Sequence, residues 1–405
     1  MTDRRNRWLI PSLAALLYFS QGFPFGIVTE TLNLYLSVKK VPLTEIGLLS
    51  SVGLAWTLKV FWAPLIDLFG TYRRWIFGSL VALSGSLALI AAVPQATPLF
   101  WIAAAAVAIA SATQDIAIDA LTIRITPRDL LGPVNSARVT SYRVAIIAAG
   151  GAVAVAADRI GWRASLLACA VVPLVLLAVL AVAIRDDPST SAPSAIVHAP
   201  LRALWQWLAR PGSLALLAVI LLYRLGDSAL SPMIKPFWIA RGFSAAEVGN
   251  VITTLGMICT IAGAISGGAF VARYGIFRGL LWLGLVQMLS NLGYAWVASS
   301  TADRASLYPV AIIETFCGGL GIAAFLSFLM SICDKENAAT EYAMLSAVFG
   351  LSRTLAGMVS GVFAQRMGYA PYFWVTAALA LPGLALLFVI RERVRATPAT
   401  VVTEA

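Results

Sequence analysis

Two carboxylates in one apolar stretch could carry chemistry in this chain. Asp115 and Asp119 lie within a long apolar run that extends from Pro98 to Ile123. Residues four apart on a helix share one face, so both carboxylates would point the same way. A charge inside a bilayer costs about 3 kcal/mol on insertion scales, and such residues therefore face a partner charge or a wet cavity. The pair predicts a polar, proton-carrying site in a transport path. The alternative is a helix end at which Asp119 simply reaches cytoplasmic water.

Other charged side chains interrupt the apolar runs in nearly balanced numbers of acidic and basic groups. Such a set can be neutral through internal ion pairs, and an anionic solute could then take an arginine from its pair through two parallel hydrogen bonds. We expect protons to be carried first by Asp115, then by Asp227, with Asp119 passing the proton to the cytoplasm. Burial favours the protonated carboxyl of Asp115, whereas a nearby arginine, for which Arg143 is the candidate, opposes it. The expected solute-binding residues are Gln21, Glu30, Lys59, Gln114, Arg143, Arg224, Lys235, Glu314 and Arg353.

The composition indicates an integral membrane protein. Of the 405 residues, 60% are hydrophobic and only 12% are charged, against about 25% charged in soluble domains. The net charge of +10 is not concentrated in one patch but spread over short loops, which argues against nucleic acid as a partner. The sequence lacks the His-Glu-x-x-His, Gly-x-Ser-x-Gly and phosphate-loop motifs, which argues against an intramembrane enzyme. A sensor with a transporter fold is a further alternative.

Twelve apolar stretches are each long enough to cross a bilayer, which needs about 20 residues. They are predicted at 8–36, 44–69, 75–93, 98–123, 133–157, 163–184, 213–239, 245–271, 278–298, 306–333, 341–364 and 371–391. Sixteen basic residues fall on the side of the termini and seven on the other, so both termini are predicted to be cytoplasmic. The predicted domains are a six-helix bundle at 1–184, a cytoplasmic linker at 185–212, a second six-helix bundle at 213–391 and a cytoplasmic tail at 392–405. Pro24 and Pro232 are predicted to break spans 1 and 7.

The loop after span 2 carries a resemblance. Its pattern Asp67-x2-Gly70-x2-Arg73-Arg74 resembles the loop between helices 2 and 3 of the major facilitator superfamily. Matched positions in the two halves, such as Tyr18 with Tyr223, agree with a transporter built from repeats. The resemblance implies that Asp67, Arg73 and Arg74 latch the inward gate. It also implies that spans 3, 6, 9 and 12 face lipid, and these four have no charged residue in their interiors.

Six stretches resemble the AmpG-like permeases of that superfamily more closely. They are Tyr18–Gly26, Leu58–Asp67, Ala112–Asp119, Ser141–Arg143, Leu222–Asp227 and Glu314–Gly321. The resemblance implies proton-driven import of a large polar solute across the bacterial inner membrane, which in AmpG proper is an anhydromuropeptide. Compact relatives include siderophore importers of the RhtX/FptX type, which are the second implied function. A monomer without cofactor is expected, working with a small-molecule solute, protons and the lipid bilayer. Arg143 and Arg353 are expected to face each other across the pseudo-twofold axis and to hold the solute's anionic groups.

The predicted topology can be tested with a reporter fused to the C-terminus. An alkaline phosphatase fused there should be inactive, because it needs the periplasm and the basic residues place the terminus in the cytoplasm. A green fluorescent fusion at the same position is the matched control and should be bright. An active phosphatase fusion would contradict the topology.

Overall fold

The part of the chain that the structure describes consists of helices joined by turns and short connections, and it contains no strand. The computed structural model describes residues 2–68, 71–126, 130–184, 209–210, 212–300, 303–332 and 338–391. Almost all of the predicted linker 185–212, the tail 392–405 and Gly70 of the predicted latch loop lie outside the described residues. The orientation of the termini and the predicted domain boundaries stay predictions.

Eleven helices in the described residues are long and apolar enough to cross a membrane, and one further apolar helix is shorter. We number them in chain order. They are α1 Leu9–Val38, α2 Leu43–Leu58, α3 Tyr72–Ala92, α4 Pro98–Thr122, α5 Ala137–Ile160, α6 Trp162–Ala183, α7 Ser213–Ala240, α8 Ala245–Tyr274, α9 Ile276–Ser299, α10 Arg304–Ser331, α11 Met344–Met367 and α12 Tyr369–Val389. Helical turns continue beyond four of these apolar parts, from Thr2 into α1, to Ile125 after α4, from Leu131 into α5 and from Ala338 into α11.

The shorter helix, α2, is the first half of the predicted second span. It gives way to a 3₁₀ turn at Lys59–Phe61, and a short helix follows at Ala63–Leu68. Proline explains the break, because Pro64 has no N–H to donate to the carbonyl four residues earlier. The 3₁₀ turn starts at the one basic residue of the span, so the interruption and the charge coincide.

Three membrane helices contain a wider, π-helical turn. These turns are Ile27–Thr31 in α1, Ala148–Ala152 in α5 and Gly249–Leu255 in α8. Each inserts a local irregularity into the hydrogen-bond ladder of its helix, and such turns occur frequently at functional sites. In α1 the wide turn begins three residues after Pro24, while the helix passes through the proline itself.

The predicted break of α7 at Pro232 is wrong. The helix Leu225–Ala240 runs through Pro232 and Pro236, and α7 is interrupted earlier, after Leu222. Membrane helices tolerate proline because no water competes for the remaining backbone hydrogen bonds and neighbouring groups can satisfy the freed ones. The interruption falls instead where the side chain of Arg224 turns to the carboxylate of Asp227, which lies three residues later.

The described chain groups into two compact units. The first unit comprises residues 1–41, 52–194 and 238–254, and the second comprises 42–51, 195–237 and 255–405. Within the first unit α1 packs against α5, and α3 packs against α4 and α6. Within the second unit α8 and α9 both pack against α10, and α9 also packs against α12. Each unit therefore combines most of one predicted half with a short segment from the other.

One crossing in the second unit brings two backbones into direct contact. A Cβ added at Gly361 of α11 would overlap the carbonyl oxygen of Leu43 at the start of α2, and one added at Gly47 would lie 2.8 Å from the nitrogen of Gly361. The backbone nitrogen of Thr44 donates to Oε1 of Gln365 across the same crossing, at 3.2 Å. Only glycine allows so close an approach, as is common where membrane helices meet through small residues.

We expect Gly361→Ala to destabilise the protein by about 1–3 kcal/mol, because the new methyl group forces the two backbones apart. Thermal unfolding in detergent measures the change. The matched control is Gly78→Ala in α3, where an added Cβ meets nothing within 4 Å. This control should be neutral or should stabilise by about 0.5–1 kcal/mol. Equal unfolding temperatures for the two variants would contradict the close crossing.

Candidate functional site

The first carboxylate of the Asp115/Asp119 pair forms an ion pair with a lysine from α2. Nζ of Lys59 lies against Oδ2 of Asp115, and the two side chains are 30% and 10% exposed. Lys59 reaches α4 from the 3₁₀ turn that ends α2. Nε1 of Trp62 donates to Oγ1 of Thr113 at 3.1 Å, which ties the same turn to α4 a second time. The sequence pointed to Arg143 as the partner of Asp115, but the partner is Lys59, because the broken end of α2 brings its side chain to α4.

The second carboxylate joins three helices. Nη2 of Arg138 lies 3.2 Å from Oδ1 of Asp119, and the hydroxyl of Tyr18 donates to the same oxygen. The guanidinium of Arg138 also lies over the Tyr18 ring, 4.4 Å from its centre, in the geometry of a cation–π contact. Asp119 therefore does not simply end in water: it links α1, α4 and α5.

Two amides expected to bind solute are buried inside the first unit. Gln114 is fully buried and its Nε2 donates to Oγ of Ser20 at 3.1 Å. Gln21 is 8% exposed. Oε1 of each amide is buried without a hydrogen-bond partner among the described residues. Buried carbonyl oxygens of this kind are costly unless something satisfies them, so both are open to a polar ligand or water.

Glu30 lies where the three π-helical turns meet, all within the first unit. Oε2 of Glu30 accepts a hydrogen bond from Thr253 of α8 at 3.0 Å. The wide turn of α5 fits between these two residues only because position 150 is glycine: an added Cβ would lie 2.7 Å from Cβ of Glu30 and 2.6 Å from Cγ2 of Thr253. The hydroxyl of Thr31 donates to the carbonyl of Ala149, which joins the turns of α1 and α5 directly.

The second unit holds a separate polar cluster. Arg224 forms an ion pair with Oδ2 of Asp227, and Nε2 of Gln287 donates to Oδ1 of Asp227 at 2.9 Å. The same nitrogen lies 3.2 Å from Oδ1 of Asn291, one turn further along α9. Glu314 of α10 is 6% exposed and lies close enough to Arg224 and Asp227 for their charges to act on it. The predicted residues Arg224, Asp227 and Glu314 are thus brought together.

A small cavity adjoins this cluster. Its volume is about 10 Å³, which is close to the space that one water molecule needs. Its polar lining comes from Arg224, Asp227, Gln287, Asn291 and the ring of Tyr223, and Gly284, Met288, Gly321 and Ala380 complete it. The hydroxyl of Tyr223 donates to the carbonyl of Leu280 at 2.7 Å. The cavity is far too small for an organic solute.

The remaining predicted residues lie on membrane helices in different environments. Arg143 is half-buried on α5, Lys235 is buried on α7 and Arg353 is exposed on α11. Of the predicted latch, Nη2 of Arg73 donates to the carbonyl of Ala181 at 3.3 Å, and Arg74 is exposed. The side chain of Asp67 lies outside what the structure describes. The roles of these residues stay predictions.

Four residues of these clusters were not among the expected site residues. Tyr18 and Arg138 complete the Asp119 contacts, and Gln287 and Asn291 complete the Asp227 contacts. The last pair had a signal in the sequence: two amides one turn apart in an apolar helix share a face and need a polar partner. The ninth span was predicted to have no charged residue in its interior, but its interior carries these two polar amides.

Comparisons with known proteins agree on the class of molecule. The sequence matches the model of the Major Facilitator Superfamily over residues 12–340 and 216–404. It is 34% identical to the anhydromuropeptide permease of Escherichia coli K12, over 95% of this chain and 80% of the permease. The fold is similar to the solved structure of a bacterial homologue of the human lysosomal transporter Spinster in an inward-facing, unoccupied conformation. The TM-score is 0.76 at 15% identity, and the match covers 97% of this chain and 98% of the homologue. The solved structure of the nucleoside transporter NupG is also similar, with a TM-score of 0.74 and 14% identity. The match covers 95% of this chain and 98% of NupG. These findings confirm the predicted fold and the resemblance to AmpG-like permeases.

The Lys59–Asp115 ion pair can be measured by a double-mutant cycle. Lys59→Met leaves the buried carboxylate of Asp115 without its partner, and Asp115→Asn removes the partner of the partly buried Lys59, so we expect a coupling energy of about 1–3 kcal/mol between them in detergent unfolding. The matched control combines Asp115→Asn with Lys39→Met. Lys39 is exposed and directly follows α1. It lies 21 residues from Tyr18, the residue of α1 that contacts Asp119, or about 30 Å at helical rise. The control should show coupling below about 0.5 kcal/mol, and an equally small value for Lys59 would refute the pair.

Proposed function

The chain belongs to the major facilitator superfamily, and on that premise we propose that it imports anhydromuropeptides, the products of cell-wall turnover, with the proton gradient as the driving force. It is a multi-pass transporter of the bacterial inner membrane, not an enzyme, and its family implies a small-molecule solute. The observation that carries the proposal is the 34% identity to the Escherichia coli permease across 95% of this chain. The polar clusters of both units supply groups suited to such a solute.

An anhydromuropeptide combines sugar rings with a peptide that carries carboxylates. Arg143 and Arg353 bind the carboxylates, since a planar guanidinium pairs with them through two hydrogen bonds. Aromatic rings in the first unit offer faces for the sugars. The ring centre of Phe25 lies 5.0 Å from that of Trp56 and 5.8 Å from that of Tyr142, and all three side chains are only partly buried.

Proton coupling uses the two carboxylates of α4. A proton on Asp115 removes its charge and releases Lys59, and a solute carboxylate that takes Lys59 leaves Asp115 buried without a counter-charge, which favours the protonated form. Proton and solute each replace one partner of the same ion pair, so the binding of either one favours the binding of the other. Asp119 lies four residues further along α4, or about 6 Å, and its contacts with Tyr18 and Arg138 support a role in passing the proton towards the cytoplasm. Asp227 is the next candidate, in the second unit.

Uptake of labelled anhydromuropeptide into proteoliposomes with an imposed pH gradient tests the proposal. The unmodified chain should accumulate the label, and a protonophore should abolish the accumulation. Asp115→Asn should lower proton-driven accumulation at least about tenfold, because a neutral side chain can no longer gain or lose the proton, yet solute exchange without a gradient should persist. The matched control is Asp303→Asn, which changes an exposed carboxylate outside the clusters.

Three outcomes would overturn parts of this proposal. If the chain accumulates a labelled ferric siderophore but not labelled anhydromuropeptide, the solute is wrongly assigned. If accumulation is unaffected by the protonophore, the driving force is wrongly assigned. If Asp115→Asn accumulates the solute as the control does, Asp115 is not the coupling residue.

A further inference from the structure

Among the described residues, the polar cluster of the second unit brings together two carboxyl groups, those of Asp227 and Glu314, and one basic side chain, that of Arg224. Asp227 pairs with Arg224, and the charges acting on the buried Glu314 are those of the same two residues. With both carboxyl groups ionised, the cluster would carry one unbalanced negative charge inside a membrane unit. An unpaired buried charge is the most expensive arrangement such a site can adopt. One bound proton makes the cluster neutral.

A second observation points to the same ligand. Gln287 is 7% exposed, lines the cavity of the cluster, and lies beside Glu314 and Asp227. Its Nε2 donates to Asp227 and Asn291, whereas its Oε1 is buried and accepts no hydrogen bond from the described residues. A carboxylate cannot donate to that oxygen, but a protonated carboxyl group can. The amide therefore presents a buried acceptor that a protonated acid can satisfy, while its N–H groups can also donate to a carboxylate.

Among the described residues, the charges that act on Glu314 are those of Asp227 and Arg224, and the buried Lys235 of α7 is not one of them. The part of α8 that packs against α10, Gly256–Tyr274, has a single charged residue, Arg273, in its last turn. Cys317 on α10 lies next to Glu314 and near Ser290 of α9. On α11, Arg353 is exposed and is not among the charges that act on Glu314. The α12 apolar stretch has no Asp, Glu, Lys or Arg.

We propose that the carboxyl groups of Asp227 and Glu314 bind one proton between them, in a buried site completed by Arg224 and Gln287. This assigns Glu314 to proton binding and not to solute binding. As a step in coupling it rests on the proposed function, where it is the counterpart in the second unit of Asp115 in the first. The adjoining cavity is close to the size of one water molecule and is lined by Asp227, Gln287 and Asn291, so a water there would give the proton a polar neighbour on its way in or out.

Infrared difference spectroscopy of the purified full chain in detergent tests the site without solute or gradient. The unmodified chain at neutral pH should show the carbonyl stretch of a protonated carboxyl group that both Glu314→Gln and Asp227→Asn abolish. Either substitution leaves one carboxylate for one guanidinium, so neither variant needs the proton. In a jump from alkaline to neutral pH, the unmodified protein should correspondingly take up about one proton per chain more than each variant, because only its cluster binds the shared proton in that range.

Two controls keep the result decisive. Glu314→Asp retains a carboxyl group and should keep the band, while Asp303→Asn should leave it unchanged. Should Glu314→Gln fail to elute as the folded chain, Asp227→Asn and the titration of the band in the unmodified protein still decide. Absence of the band from the unmodified protein, or its survival in either neutral variant, overturns the proposal. If the chain does not transport muropeptide but shows the band and loses it in both neutral variants, the proton site stands and only the proposed function fails.

Discussion

The structure depends on the requirement that charges within the membrane be balanced where they lie. Lys59 meets Asp115, Arg138 meets Asp119 and Arg224 meets Asp227, each within one compact unit. In lipid, no water can replace a lost partner, so each pair also fixes the helices that carry it. The break of α2 before Pro64 follows this logic, because it places Lys59 at the carboxylate of α4. The irregular turn at the end of α2 thus allows an ion pair to form between two helices.

The two units balance their charges by different means. In the first, each carboxylate of α4 has its own basic partner, and a tyrosine hydroxyl adds a donor to Asp119. In the second, amides of α9 surround a cluster with more carboxyl groups than cations. A transporter that moves protons needs groups whose charge can change at moderate cost, and balanced pairs beside polar amides meet that need.

Much of the fold could be predicted from the sequence, because apolar length is a direct physical requirement of a bilayer. The charged residues of the clusters were equally visible, since few charges occur in apolar runs. The sequence did not show which acidic side chain pairs with which basic side chain. The pairing of Asp115 with Lys59 depends on a break in α2, and the continuity of α7 through Pro232 depends on packing around it. Contacts between helices that are distant in the sequence, such as that of Gln287 with Asp227, can hardly be predicted from it. In this case the sequence shows at most a pair of amides in an apolar helix. The latch and the solute-binding arginines stay predictions.

The wide turns of α1 and α5 are chemically dependent on each other. The hydroxyl of Thr31, in one wide turn, is satisfied by the carbonyl of Ala149, in the other. If either turn tightened into regular α-helix, the ring of hydrogen bonds would change register, and the opposite turn would lose its partner where no water can replace it. A change in either turn therefore costs the hydrogen bond that joins it to the other. The shapes of the two helices are in this way coupled.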